Sequence, residues 1–383
     1  MENTTPKTRS AGLDIIRTVA VFFVVSVHFF LYNGFYKQPV DTPQMFFAVA
    51  FRDLFYTCVP LFMILSGYLL SNKKLEKRYF KGIGRVIYVY TAASVIILLF
   101  QTHYLGAEKT FYDIIKSYLG FSAAPYAWYI SMYIGLFLLI PFLNILYHGL
   151  DSKRKKQALL LIMLIITAIP PMLNGREYMP SIIPGADFNV LPSWWLNLYP
   201  LTYYFIGAYI KEYQVKLPKI FSACAIFTIM MIESALVWMQ SENGTYKTTV
   251  DGYGNGFVVL LSVFIFLLLY DINLKNSFLK NLFETISGLS LGIYLLSYIF
   301  DYIVYYQHLN IRIPIIADRF KYYFAVVPLI FFSSLAISAI VELVYILYTK
   351  LKNKVKKSIK KTKEEQVETV QLEETKEEVL TQK

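Results

Sequence analysis

Charge is scarce in this chain. Only 16% of its 383 residues are Asp, Glu, Lys or Arg, against about a quarter in soluble domains. With 56% hydrophobic residues, 17% aromatics and a mean hydropathy of +0.47, that shortage excludes an ordinary soluble globular protein and indicates a polytopic membrane protein. Cysteine is nearly absent as well. Cys58 and Cys224 both fall in apolar stretches, with neither metal-ligand spacing nor the pairing of a disulfide framework, so they read as packing residues. There is no internal repeat of fixed period and no glycine-rich nucleotide loop. The segment Gly252-Tyr253-Gly254-Asn255-Gly256 reads as a turn entering a helix. No stretch resembles a cleaved signal peptide, because the first apolar run carries Asp14 and Arg17 and lacks a small-residue cleavage site.

What is present is a series of apolar runs long enough to cross a hydrocarbon core of ~30 Å. Ten are expected, at about 12–33, 47–71, 83–101, 127–148, 156–173, 197–212, 219–240, 256–271, 286–306 and 324–349. The fold class is therefore an all-α bundle of about ten transmembrane helices. The formal charge of +11 raises the question of nucleic acid, but its distribution answers it. With the N-terminus taken as cytosolic, the inner segments hold Lys7 and Arg9, the group from Lys73 to Arg85, the run Lys153-Arg154-Lys155-Lys156, Lys211, Lys216 and Lys219, Lys275 and Lys280, and the lysine-rich tail. The outer segments hold scattered residues such as Lys37, Lys109, Arg176 and Arg312. This positive-inside bias places both termini in the cytosol and explains the basic balance without a nucleic-acid partner.

The chain divides into a membrane domain, 1–349, and a charged tail, 350–383. Residues 350–363 carry eight lysines and no acid, and from Glu364 onward seven glutamates stand against Lys376 and Lys383. Blocks of like charge read as disordered. The lysine block could bind anionic head groups or merely solubilise the tail. Long outer loops are expected at about 102–126, 174–196 and 241–255. The second contains Pro180, Pro184, Gly185 and Asp187 and ends in Trp194-Trp195, a pair that suits the interfacial aromatic belt or a platform for a sugar ring.

Chemistry is expected on the first helix. Arg17 and His28 lie eleven residues apart, which at about 100° and 1.5 Å per residue puts both on one face, about 16 Å apart. An ionisable side chain at membrane depth costs about 3 kcal/mol or more, so it faces a protein interior or a wet cavity. His28 could act as a general base toward a hydroxyl, or could be bonded to a neighbouring helix purely for packing. Arg17 suits a phosphate, with an ion pair to Asp14 as the alternative. Pro60 is expected to kink the second helix and Gly67 to allow close helix approach. Arg78, Lys81 and Arg85 form a basic rim, which a positive-inside loop explains as well as cofactor phosphates do. Glu233, Asp301 and Glu342 also fall inside spans, without a partner visible in sequence, and they keep a non-enzymatic transporter or flippase of a glycan or lipid-linked glycan in view.

The ordered set Leu13-Asp14-x-x-Arg17, Arg17-x10-His28, Val59-Pro60-Leu61-Phe62, Ser66-Gly67-Tyr68, Trp128-Tyr129 through Pro141-Phe142, and Gly292-Ile293-Tyr294-Leu295 resembles acyltransferase family 3. These are integral membrane enzymes that acylate, usually O-acetylate, cell-surface and other glycans. The resemblance covers about 1–349, in a stand-alone form without an extracytoplasmic domain. It implies acetyl-CoA as donor, no metal, a cell-envelope or exported saccharide as acceptor, and a multi-pass position in a bacterial plasma membrane. It also implies Arg17 and His28 as the essential pair, with Arg85, Lys81 and Ser66 on the cofactor side and Trp128, Trp194 and Trp195 toward the saccharide. His28 would serve as base or as transient acyl carrier. The chain departs from the family pattern at Gly82, where members often carry an arginine, and at Tyr126 or Ala127 and Ser297, where many carry histidine.

Overall fold

The computed structural model describes residues 9–173, 192–241, 246 and 252–381. Pro180, Pro184, Gly185 and Asp187 lie outside these. All regular elements among the described residues are helical, as the composition requires: in hydrocarbon every backbone N–H and C=O must be satisfied within its own segment. The helices that build the bundle are α1 (Ala11–Tyr32), α2 (Pro43–Tyr56), α3 (Cys58–Leu70), α4 (Gly84–Leu99), α5 (Phe111–Leu119), α6 (Trp128–Gly149), α7 (Lys153–Thr167), α8 (Tyr199–Tyr213), α9 (Lys219–Gln240), α10 (Gly256–Leu269), α11 (Ser277–Asp301) and α12 (Tyr323–Thr381).

Eight helical stretches among the described residues are long and apolar enough to cross a bilayer: Ala11–Lys37, Pro43–Leu70, Lys77–Tyr104, Trp128–Gly149, Lys153–Met172, Lys219–Met239, Ser277–Arg312 and Ile316–Val355. The expected runs at 197–212 and 256–271 are helical too. They are shorter, 15 residues in α8 and 14 in α10, about 22 Å of helix at 1.5 Å per residue. The charged tail continues α12 through Thr381. Lysine and glutamate are both good helix formers, so the like-charge blocks do not interrupt it.

Local chemistry sets the helix ends. Thr42 caps α2 by accepting from the Met45 N–H, with Pro43 in the first turn. Asn276 caps α11 by accepting from the N–H groups of Phe278 and Leu279. The second membrane stretch divides at Thr57, three residues before Pro60. Proline has no N–H to give the Tyr56 carbonyl four residues back, so the ladder is interrupted where α2 meets α3.

Small residues set the closest packing. A Cβ on Gly67 of α3 would overlap the Tyr204 carbonyl of α8, and one on Gly207 would overlap the Ile64 carbonyl. The two backbones therefore touch, as the small-residue seam predicts. At the centre, α1 runs parallel to α11, and the two are tied at successive levels. Arg9 reaches the Glu284 carboxylate at 3.1 Å, Arg17 donates to the Ser287 hydroxyl at 3.0 Å, and His28 meets Asp301 at 3.0 Å. The face of α1 that carries ionisable residues is thus the face that packs on α11.

Candidate functional site

Around Arg17 the helices leave two adjoining cavities. One, of about 310 Å³, lies between α1, α3, α4, α6 and α11. Val24, Val59, Phe62, Leu65 and Leu69 supply apolar wall, and Ser66, Tyr129, Tyr133, Ser290 and Tyr294 supply hydroxyls. The other, of about 370 Å³, lies toward the start of α1 and is more polar, with Arg9, Arg85, Ser287, Ser338 and Glu342 in its walls. Arg17, Val86, Ser290 and Leu291 line both. The guanidinium therefore stands at the junction between a polar vestibule and an apolar channel.

The cations around the vestibule differ in how they are paired. Arg9 forms a two-toothed pair with Asp14, both contacts at 2.8 Å, and the Asp14 carboxylate together with Glu284 raises the Arg9 pKa above its ordinary value. Arg85 bonds the Gly288 carbonyl at 3.0 Å and pairs with Glu342 at 3.0 Å. The ion pair of Arg17 with Asp14, one reading of the i,i−3 spacing, is not formed: Asp14 faces Arg9, and Arg17 bonds the neutral Ser287. A half-buried guanidinium facing a hydroxyl can still accept an anion. Lys81 is exposed and lines neither cavity. Ser66 lines the apolar channel, with its hydroxyl turned back to the Phe62 carbonyl at 2.8 Å.

His28 sits three turns further along α1, buried. Its Nδ1 lies 3.0 Å from Oδ2 of Asp301, which also accepts from the Tyr126 hydroxyl at 2.7 Å. Where the carboxylate is ionised it only accepts, which puts a proton on Nδ1, and a neutral imidazole then keeps its lone pair on Nε2. The Tyr126 ring lies against the imidazole, centroids 4.1 Å apart, and Tyr32 meets it edge-on at 6.0 Å. The Tyr294 hydroxyl donates to the Tyr126 carbonyl and its ring lines the apolar channel. Tyr294 and Tyr126 therefore link the channel wall to His28. Such an arrangement can fix a tautomer and take a proton at the free nitrogen.

Of the three tryptophans, Trp128 borders the channel, meeting Tyr129 of its wall edge-on at 6.2 Å. Trp128 stacks on Tyr253 at 5.5 Å, and Trp194 stacks on Trp195 at 4.2 Å. Among the described residues none of the three has a ring contact with His28, Tyr32 or Tyr126. Two carboxylates without a visible sequence partner gain one: Asp301 pairs with His28 and Glu342 with Arg85. Glu233 has no hydrogen-bond partner on either oxygen among the described residues. Sequence reasoning passed over Ser287, and it met Tyr126 and Tyr294 only as positions in the family pattern, without a role in the site. A periodic signal for the first existed, since Asp301 follows Ser287 by 14 residues, about four turns on one face.

No curated protein and no solved structure matches this chain. The family model for the acyltransferase domain of family 3 matches residues 10–343, a span that includes the His28–Asp301 pair and every residue lining the two cavities except Arg9. The chain belongs to the membrane acyltransferase 3 family.

Proposed function

We propose that this protein is an O-acyltransferase that takes an acyl group, acetyl first among the choices, from cytosolic acyl-CoA and delivers it to a hydroxyl of a cell-envelope or exported saccharide. The observation that carries the reading is the pairing of two sites on one face of α1. Arg17 stands where a polar vestibule meets an apolar channel, and the His28–Asp301 pair lies about 16 Å further along the helix. In this reading the chain crosses a bacterial plasma membrane ten times with both termini cytosolic, so the vestibule opens to the cytosol and His28 lies in the outer half.

Arg17 and Arg85 would hold donor phosphates in the vestibule, with Lys81 on the approach to it. The thioester arm would lie in the channel past Ser66, whose hydroxyls and apolar walls suit an amide-bearing chain. At the far end, Nε2 of His28 takes the proton of the acceptor hydroxyl while its oxygen attacks the thioester carbonyl. The carbon–sulfur bond breaks, and the leaving thiolate takes the proton back from the imidazolium. Asp301 holds the imidazole in the required tautomer and stabilises its charged form. An acyl-histidine route would use the same nitrogen as nucleophile.

Family membership and a base held by a carboxylate favour covalent chemistry over a carrier that moves a glycan unchanged. The test is transfer of label from radiolabelled acetyl-CoA to an envelope saccharide fraction by the purified protein. His28→Ala is expected to abolish transfer with the protein level unchanged. Full transfer by that variant overturns the catalytic assignment.

A further inference from the structure

Beyond His28, at the far end of α1 and α11, the helices change character. The helix following Asp301 widens into a π-helical stretch, Tyr302–Leu309, and that following α4 does the same at Phe100–Tyr104. Such stretches are rare and concentrate at functional sites. The two face each other: Phe100 meets Tyr302 at 6.1 Å, and the Tyr104 hydroxyl donates to Oε1 of Gln307 at 2.9 Å.

Tyrosines run continuously from there to the imidazole. Tyr32, one turn beyond His28, contacts Tyr306 at 5.6 Å; Tyr306 contacts Tyr302 at 5.4 Å; Tyr302 contacts Tyr298 at 6.5 Å; and Tyr298 contacts Tyr126 at 5.6 Å. The outer members are open, Tyr306 at 46% exposure and Tyr104 at 57%. An interfacial aromatic belt would also expose tyrosines at helix ends. A belt follows the perimeter, however, whereas this run turns inward and ends beside a buried histidine. Two buried polar atoms without a hydrogen-bond partner among the described residues lie at that inner end, Oδ1 of Asp301 and the Tyr305 hydroxyl. Leaving such groups unpaired is unfavourable, and a bound hydroxyl would satisfy them.

We infer that this tyrosine run is the acceptor-binding surface, and that its ligand is a saccharide bearing the hydroxyl to be acylated. Ring faces match the C–H faces of a pyranose, and the phenol hydroxyls and Gln307 match its hydroxyl edge. The inference rests on the proposed acyl transfer and moves acceptor recognition away from Trp128, Trp194 and Trp195.

The experiment measures initial rates of label transfer from acetyl-CoA to a delipidated envelope saccharide fraction, varying each substrate in turn. The proteins compared are the wild type, Tyr306→Ala, Tyr104→Ala and Tyr306→Phe, all altered at exposed positions. Loss of one stacking face is expected to raise the acceptor KM by about tenfold in the alanine variants. The donor KM stays within twofold, and Tyr306→Phe, which keeps the ring, retains most of the acceptor affinity. Transfer by the wild type with an unchanged acceptor KM in both alanine variants overturns the inference alone, whether or not the variants melt earlier. No transfer by the wild type overturns the proposed function and this inference with it.

Discussion

Asp301→Asn separates a catalytic pair from a packing contact. The two side chains have nearly the same shape, so the 3.0 Å contact with His28 and the 2.7 Å contact with Tyr126 can both persist geometrically. The charge and the direction of donation change. An asparagine amide can donate to Nδ1, which moves the imidazole proton to Nε2 and leaves no lone pair for the acceptor hydroxyl. It also removes the negative charge that stabilises the imidazolium formed during transfer. General-base catalysis contributes about 10²- to 10⁴-fold, or about 3–5 kcal/mol of barrier at 1.36 kcal/mol per decade. kcat is therefore expected to fall by about two to four orders of magnitude. The donor KM should not move, because Arg17 lies about three turns away and bonds Ser287 rather than Asp301. The assay is steady-state label transfer from acetyl-CoA by purified protein, with thermal melting as the control for folding. Full kcat in a folded Asp301→Asn variant refutes the assignment of His28 as an Asp301-held base. A matched rise in donor KM with unchanged kcat refutes it equally, because that outcome places the pair on the donor side.

Three further perturbations follow from the pairing pattern. Glu342→Gln removes the carboxylate that holds half-exposed Arg85 at 3.0 Å. Such a pair is worth about 0.2–1 kcal/mol, so the donor KM should drop by up to about fivefold, becoming more sensitive to salt; an unchanged KM would separate Arg85 from donor binding. Glu233→Met replaces a fully buried carboxyl, with no hydrogen-bond partner among the described residues, by an apolar side chain of similar shape. Relief of an unpaired buried group is worth about 1–3 kcal/mol, so the melting temperature in detergent should rise, and a fall of several degrees would show that the carboxyl is satisfied. Gly67→Ala forces a Cβ onto the Tyr204 carbonyl, a backbone atom that cannot rotate away. Overpacking of this kind costs about 1–3 kcal/mol, visible as early melting, whereas the wild-type melting temperature would contradict the α3–α8 contact.

Scarcity of charge made part of this protein legible and hid the rest. When ionisable residues are rare inside apolar runs, each one present marks a site, so Arg17, His28, Asp301, Glu233 and Glu342 could all be picked out in sequence. Helix periodicity then ordered the two on α1, because eleven residues fix a face within one segment. Pairing across segments has no such ruler. Asp301 lies 273 residues from His28, and nothing in its own helix states which neighbour it meets; the same holds for Glu342 and Arg85. Local rules can also mislead where a stronger partner competes. The i,i−3 spacing offered Asp14 as a partner for Arg17, but Arg9 lies just before the helix, where its fork reaches the carboxylate with both teeth. Tyr126 was the hardest to see, since tyrosine is abundant here, at 32 residues, and abundance removes the signal that rarity gives to histidine. Its position gains meaning only from the Asp301 carboxylate it shares with His28. A hydroxyl there can position the carboxylate without competing for the proton that His28 moves in the proposed transfer. One base on one face is what the transfer chemistry requires.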